Sequence, residues 1–203
     1  MHRVFFQASE WIYNMMKLNG LWLLGIVAGL GLLGVMPATT AVAAVTRKWA
    51  HGNQDVPMWN LFWKTYKQSF ATSNQVGALF AVLALILLAN LRISVIVPGT
   101  VMMVAHYFIL FILFALLAST WLFFFIYVHY ELPTKAYLFQ SVAMVFSKPI
   151  SMLMLAAGIG AAVWMMAHMP GLLPFFAIVW PSYWSSVVCK KMFSKMEQQT
   201  LAA

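Results

Sequence analysis

Residues 76–97, VGALFAVLALILLANLRISVIV, and residues 102–128, MMVAHYFILFILFALLASTWLFFFIYV, decide the fold of this chain. Between them they hold a single lysine, arginine, aspartate or glutamate, Arg92. At about 1.5 Å per residue, helices of these lengths measure about 33 and 40 Å, enough to cross a hydrocarbon core of about 30 Å. Lipid offers no hydrogen bonds to backbone N–H and C=O groups, so a crossing segment satisfies them within itself, as a helix does. The expected fold class is all-α, a polytopic transmembrane helical bundle.

Composition agrees. Of 203 residues, 64% are hydrophobic and 8% charged, which leaves little from which to build a soluble domain. A single membrane domain over residues 1–203 is expected. The net charge of +8 is not read as a nucleic-acid footprint. The basic residues sit in short clusters beside apolar runs, where they act as topology signals and contacts for anionic lipid. With one cysteine, Cys189, no intrachain disulfide forms. Cys189 precedes Lys190 and Lys191, a position open to acylation, but a small buried residue is the simpler reading. Residues 21–36 and Ala41-Val42-Ala43 look like a signal core and cleavage site. The segment before them is long and amphipathic, so cleavage is not expected.

Working outward, three chain reversals share a pattern of apolar helix, proline with small neighbours, apolar helix. They are Val35-Met36-Pro37-Ala38-Thr39-Thr40, Ile96-Val97-Pro98-Gly99-Thr100 and His168-Met169-Pro170-Gly171. Proline disfavours helical geometry in the residue before it and suits the first turn of a new helix. Thr39 and Thr40 are expected to cap that turn or to bond neighbouring carbonyls. The segments between reversals are basic: Arg3 and Lys17; Arg47, Lys48, Lys64 and Lys67; Lys135 and Lys148; Lys190, Lys191 and Lys195. The positive-inside rule then places these segments and both termini in the cytoplasm, with the proline turns outside. The result is three hairpins (residues 18–50, 75–129 and 149–190) and six crossings. Residues 38–50 cover only about 20 Å, so five crossings is the alternative. Ala38, Ala41, Ala43 and Ala44, with Gly25-x-x-x-Gly29, Gly31 and Gly34, suit close helix packing.

Amphipathic segments precede the hairpins. In residues 57–72, Trp59, Phe62, Trp63, Tyr66 and Phe70 share one face, while Asn60, Lys64, Lys67 and Gln68 share the other. Such a segment is expected to lie in the interface, anchored in acyl chains by Trp59, Trp63, Tyr66 and Phe70. Residues 1–17 repeat the idea, and residues 134–148 do so more weakly. The alternative is that these segments are the cytoplasmic ends of the crossing helices.

No catalytic constellation is legible. Glu10, Asp55, Glu131 and Glu197 are scattered and form no intramembrane pair. His51, His106, His129 and His168 lack metal-ligand spacing, no phosphate-binding glycine loop precedes a Lys-Ser/Thr pair, and the serines have no neighbouring base. No enzyme activity, metal or cofactor is expected. Arg92 stands out, about 8 Å below the turn at Pro98, with Asn90, Ser94 and His106 near it in sequence or depth. A charge there either reaches lipid phosphates or meets a partner's carboxylate or an anionic ligand. Trp22, Trp121, Trp164, Trp180 and Trp184 fall in or near the crossings, where tryptophan ordinarily anchors to the interface. A sugar-stacking platform has the same spacing.

Asn19-Gly20-Leu21-Trp22, Met36-Pro37-Ala38-Thr39-Thr40-Ala41, and Phe62 to Phe70 with Ala71-Thr72 together resemble the YesL-like family, bacterial membrane proteins of unknown function. The resemblance is most specific over residues 12–75. Gly20, Trp49 and His51 depart from it without disturbing the fold. The family brings no catalytic motif. The resemblance implies proteins commonly encoded beside carbohydrate ABC transporters and polysaccharide-degrading enzymes, often in Gram-positive bacteria. The expected function is a non-enzymatic accessory subunit of a carbohydrate ABC uptake system in the bacterial cell membrane, with lipids and permease subunits as partners. The alternatives are an independent small-solute transporter or channel, or a membrane regulator of sugar utilisation.

Overall fold

The computed structural model describes the backbone of residues 2–97, 99–169, 171 and 173–201. Pro98 and Pro170, expected at two of the reversals, lie outside the described residues, as do the side chains of residues 2–8, 174–175 and 195–201. The helices are α1 (His2–Ala28), α2 (Leu32–Ala50), α3 (Met58–Ile96), α4 (Thr100–His129), α5 (Thr134–Ser147), α6 (Pro149–His168), α7 (Leu173–Phe176) and α8 (Val179–Leu201). No strand occurs among the described residues. Three helices, α3, α4 and α6, are long and apolar enough to cross a membrane. Of the others, α5 and α7 have only 14 and 4 residues, and the rest carry polar residues: Asn14, Lys17 and Asn19 in α1, Arg47 and Lys48 in α2, Lys190 and Lys191 in α8.

The chain divides into two compact units, residues 1–70 with 150–203, and residues 71–149. In the first, α1 and α2 form an antiparallel hairpin whose turn is not at Pro37. It falls at residues 29–31, where Leu30 (φ 57°) and Gly31 (φ 80°) both adopt left-handed geometry. The Gly31 N–H donates to the Ile26 carbonyl at 2.8 Å and the Leu30 N–H to the Val27 carbonyl at 3.1 Å, the paired bonds that close a Schellman helix end. Gly31 takes its positive φ without a Cβ clash, so the helix ends here rather than at the proline. Pro37 therefore lies inside α2. The helix has 19 residues and measures about 28 Å, longer than the proline-started helix expected from sequence.

Glycine also sets how closely the hairpin closes. A Cβ on Gly29 would overlap the backbone of Gly34, and one on Gly34 would sit 2.6 Å from the carbonyl oxygens of Gly25 and Ile26. This backbone-to-backbone approach is available only to residues without side chains. α8 runs parallel to α2, matched at two levels. Thr46 and Ser186 hydroxyls are 2.9 Å apart and buried, and Lys190 Nζ donates to the Ala50 carbonyl at 3.1 Å. That ammonium lies at the negative end of the α2 dipole. α1 joins α8 through Trp11, edge-on to Trp180 and Tyr183. Asn19 Oδ1 accepts from the Ile178 N–H at 3.3 Å, satisfying a donor where α8 begins. α6 meets α8 where the Trp184 ring lies against Gly158 and its Nε1–H donates to the Met154 carbonyl at 2.9 Å.

Residues 57–72 do not form a separate interfacial helix. They open α3, a continuous helix of 39 residues, about 58 Å long. Residues 3–17 likewise run on into α1, so neither segment is a helix of its own. Residues 134–148 do form a helix of their own, α5.

In the second unit, α4 packs on α5. Tyr137 locks their turn: its hydroxyl donates to the Tyr130 carbonyl at 2.9 Å and accepts from the Leu132 N–H at 3.1 Å. Phe123 packs edge-on and Tyr127 tilted against the same ring. Leu122, Phe123, Phe124, Phe125 and Ile126 are all buried, whereas Val101, Met103, Val104, Tyr107, Phe108 and Phe111 are exposed. One end of α4 is thus core on every side, and its other end is bare.

Candidate functional site at the end of the α3–α4 hairpin

Arg92 sits on α3 four positions before its last residue, Ile96, about 6 Å from the helix end. Its side chain is exposed. It makes no hydrogen bond or ion pair among the described residues. Leu85, Leu88, Arg92 and Val95, spaced three, four and three apart, share one face of the helix. That face, with His106 of α4, lines a recess of about 700 Å³. The structure thus brings together Arg92 and His106. It does not bring in Asn90, whose Nδ2 donates to the Ile86 carbonyl of its own helix at 2.8 Å.

His106 is held in place. Its Nδ1 lies 2.9 Å from Ser94 Oγ, and Ser94 Oγ donates to the Leu91 carbonyl at 2.8 Å. A hydroxyl has one proton. With that proton given to Leu91, the bond between the side chains runs from His106 Nδ1–H to Ser94, and Nε2 is left for another partner. His106 also lines a second recess of about 530 Å³, whose wall includes the more polar Thr100 and Tyr107. The imidazole therefore separates an apolar recess from a more polar one nearer the turn. Glu131, the acid of this unit, lies beyond the opposite end of α4, about 38 Å from His106 along the helix.

The other sequence-marked residues serve structure. Thr39 and Thr40 do not cap a helix. Their hydroxyls donate to the carbonyls of Val35 and Met36, four residues back, at 2.8 and 2.9 Å. Thr39 Oγ1 also accepts from Trp22 Nε1 at 3.1 Å, tying α1 to α2. The aromatic segment of α3 faces two ways rather than one. Trp59 is 60% exposed and Phe70 36%. Trp63 is half-buried, with an Nε1 that has no hydrogen-bond partner among the described residues. Phe62 and Tyr66 are core residues, packed on Gly25. Tyr66 is thus no lipid anchor: its hydroxyl donates to the Gly25 carbonyl at 2.9 Å. Glycine at position 25 leaves that carbonyl reachable, and no periodicity in the sequence signals it. The same holds for the pairings Thr46–Ser186 and Gly158–Trp184, each of which joins residues remote in the chain.

Among the described residues no three His, Cys, Asp or Glu side chains converge. What the fold defines is a helical membrane protein, with three helices among the described residues long and apolar enough to cross a bilayer. The chain belongs to the family described as "Protein of unknown function, DUF624", which it matches over residues 15–91. That stretch covers most of α1, all of α2 and α3 as far as Leu91. Arg92 lies one residue beyond it. Three relatives from Bacillus subtilis (strain 168) are each 32% identical. "Uncharacterized protein YesV" aligns over 84% of this chain and 82% of its own length. "Uncharacterized protein YteU" aligns over 93% and 85%, and "Uncharacterized protein YesL" over 93% and 89%. The resemblance to YesL-like proteins is thereby established over nearly the whole chain. No solved structure matches it.

Proposed function

We propose that this protein is a non-enzymatic accessory subunit of a bacterial carbohydrate ABC uptake system. In this reading it is held in the cell membrane by three hairpins and six crossings, with both termini in the cytoplasm, and it acts by packing against permease helices. The observation that carries the reading is on α6. Its most apolar stretch is only 11% buried, and Ala156, Ala157, Gly160 and Ala161 are exposed. A Cβ on Gly160 would meet nothing within 4 Å. Ala156-x-x-x-Gly160 and Ala157-x-x-x-Ala161 are small-residue spacings that let a second helix approach closely. Lipid gains little from such a groove, whereas a helix gains dispersion contacts along it. The carbohydrate assignment rests on the resemblance to YesL-like proteins.

Affinity purification of the tagged protein in mild detergent, followed by mass spectrometry, tests this. Sugar-transporter permeases are expected to be enriched, and Gly160→Leu is expected to deplete them without lowering the amount of protein inserted. Recovery of a homo-oligomer with no permease refutes the proposal. For orientation, Thr100→Cys in a Cys189→Ser background is expected to react with an impermeant maleimide from outside the cell. Labelling only after the cytoplasm is opened overturns the proposed orientation.

A further inference from the structure

We propose that the recess at the end of the α3–α4 hairpin is a phospholipid site, in which Arg92 binds the phosphate and the α3 wall below it takes the upper carbons of an acyl chain. Three observations converge on this occupant. First, the guanidinium is exposed and makes no ion pair or hydrogen bond among the described residues. The nearest acid along α4, Glu131, lies about 38 Å from His106, so the missing counter-charge comes from outside the unit. A planar fork of N–H donors matches phosphate oxygens two at a time.

Second, the cation is part of an amphipathic wall. Leu85 and Leu88 lie on the same face of α3 as Arg92, and Leu85 is about 10 Å further from the helix end. A ligand with phosphate at Arg92 therefore has an apolar surface beneath it in the direction an acyl chain runs. A soluble anion makes no use of that wall, and a fatty tail alone makes no use of the cation. Third, the rim is fixed. Ser94 holds the His106 ring at 2.9 Å, and on its other side lies the recess containing Thr100 and Tyr107, polar groups suited to a glycerol headgroup. An arginine that merely snorkels meets whichever phosphate drifts past. One set in a recess of about 700 Å³ with a fixed wall holds a lipid stoichiometrically.

The test uses the full chain, purified in mild detergent and delipidated, then titrated with phosphatidylglycerol and read by native mass spectrometry. One retained lipid per chain is expected. Arg92→Gln should lower its occupancy about tenfold, the scale of a lost charge-assisted hydrogen bond, and Arg92→Lys, which keeps the charge but loses the planar fork, should fall between the two. Val95→Trp, which fills the recess while keeping the arginine, should lower occupancy as well. Diacylglycerol with the same chains should not be retained, and millimolar inorganic phosphate should not displace the lipid. Wild-type retention by Arg92→Gln or by Val95→Trp overturns the proposal. So does equal retention of diacylglycerol, which makes the site a greasy groove, or full displacement by inorganic phosphate, which makes it a site for a soluble anion. The isolated chain suffices for every arm, so the outcome is independent of permease association.

Discussion

The α1–α2 hairpin and the α3–α4 hairpin are both pairs of apolar helices joined by a short turn, yet they are built to opposite ends. In α1–α2, Gly25, Gly29 and Gly34 bring backbone onto backbone. Trp22, Thr39 and Tyr66 then spend their polar atoms on neighbouring helices and carbonyls. Residues Ala38 to Val42 are buried without a break. In α3–α4 the helices meet near their turn through Ser94 and His106, while Leu83, Leu85, Ile86, Leu88, Phe108 and Phe111 point outward. Small residues make a protein-filled interior, because they admit another backbone. Toward the turn of α3–α4 the large aliphatic and aromatic residues stay exposed and leave a surface for lipid or another protein.

That contrast is open to mutation. Phe62 is fully buried against the α1–α2 hairpin, and Phe62→Ala should cost about 4 kcal/mol through the cavity it leaves. Thermal unfolding in detergent, followed by circular dichroism, measures it; a loss below about 1 kcal/mol breaks the claim that this hairpin is the rigid part. Gly34→Ala comes next, at about 3 kcal/mol, the upper end of overpacking costs, because the atoms it strikes are backbone and cannot rotate away. The same assay reads it, and a neutral result means that the helices separate without penalty. Tyr66→Phe keeps the ring and removes the bond to the Gly25 carbonyl, so about 1 kcal/mol is expected. Leu88→Ala, on the bare face of α3, should cost less than about 0.5 kcal/mol in detergent. A large loss at position 88 would reveal packing in that hairpin and erase the distinction.

Legibility followed the range of the interactions. The membrane class was readable from residues 76–97 and 102–128, since solvation by lipid depends on composition and length alone. The family was readable from the Met36-Pro37-Ala38-Thr39-Thr40-Ala41 segment, in which Thr39 and Thr40 bond neighbouring carbonyls, one of the two roles expected of them. Pro37 was expected to turn the chain, and Gly29-Leu30-Gly31 turns it instead. Both motifs are legitimate stop signals, and local sequence holds no rule for which one prevails. The aromatic face of residues 57–72 was visible as a stripe. Periodicity says that a stripe is buried but not in what, and Phe62 and Tyr66 are buried in protein. At the hairpin end, Arg92 was conspicuous as a lone charge, and its separation from Asn90 appeared only once Asn90 was seen bonded to Ile86.

Composition and periodicity settled that this polypeptide is helical and lives in lipid, because transfer from water to hydrocarbon is additive along the chain and needs no knowledge of neighbours. Which helices touch was settled in three dimensions. The contacts Gly29–Gly34, Thr46–Ser186 and Gly158–Trp184 depend on atoms fitting within a fraction of an ångström, and that fit is a property of surfaces brought together rather than of any segment read alone. The recess that holds Arg92 and His106 follows the same logic. The charge is written at one position, and the wall that gives it an occupant exists only where two helices meet.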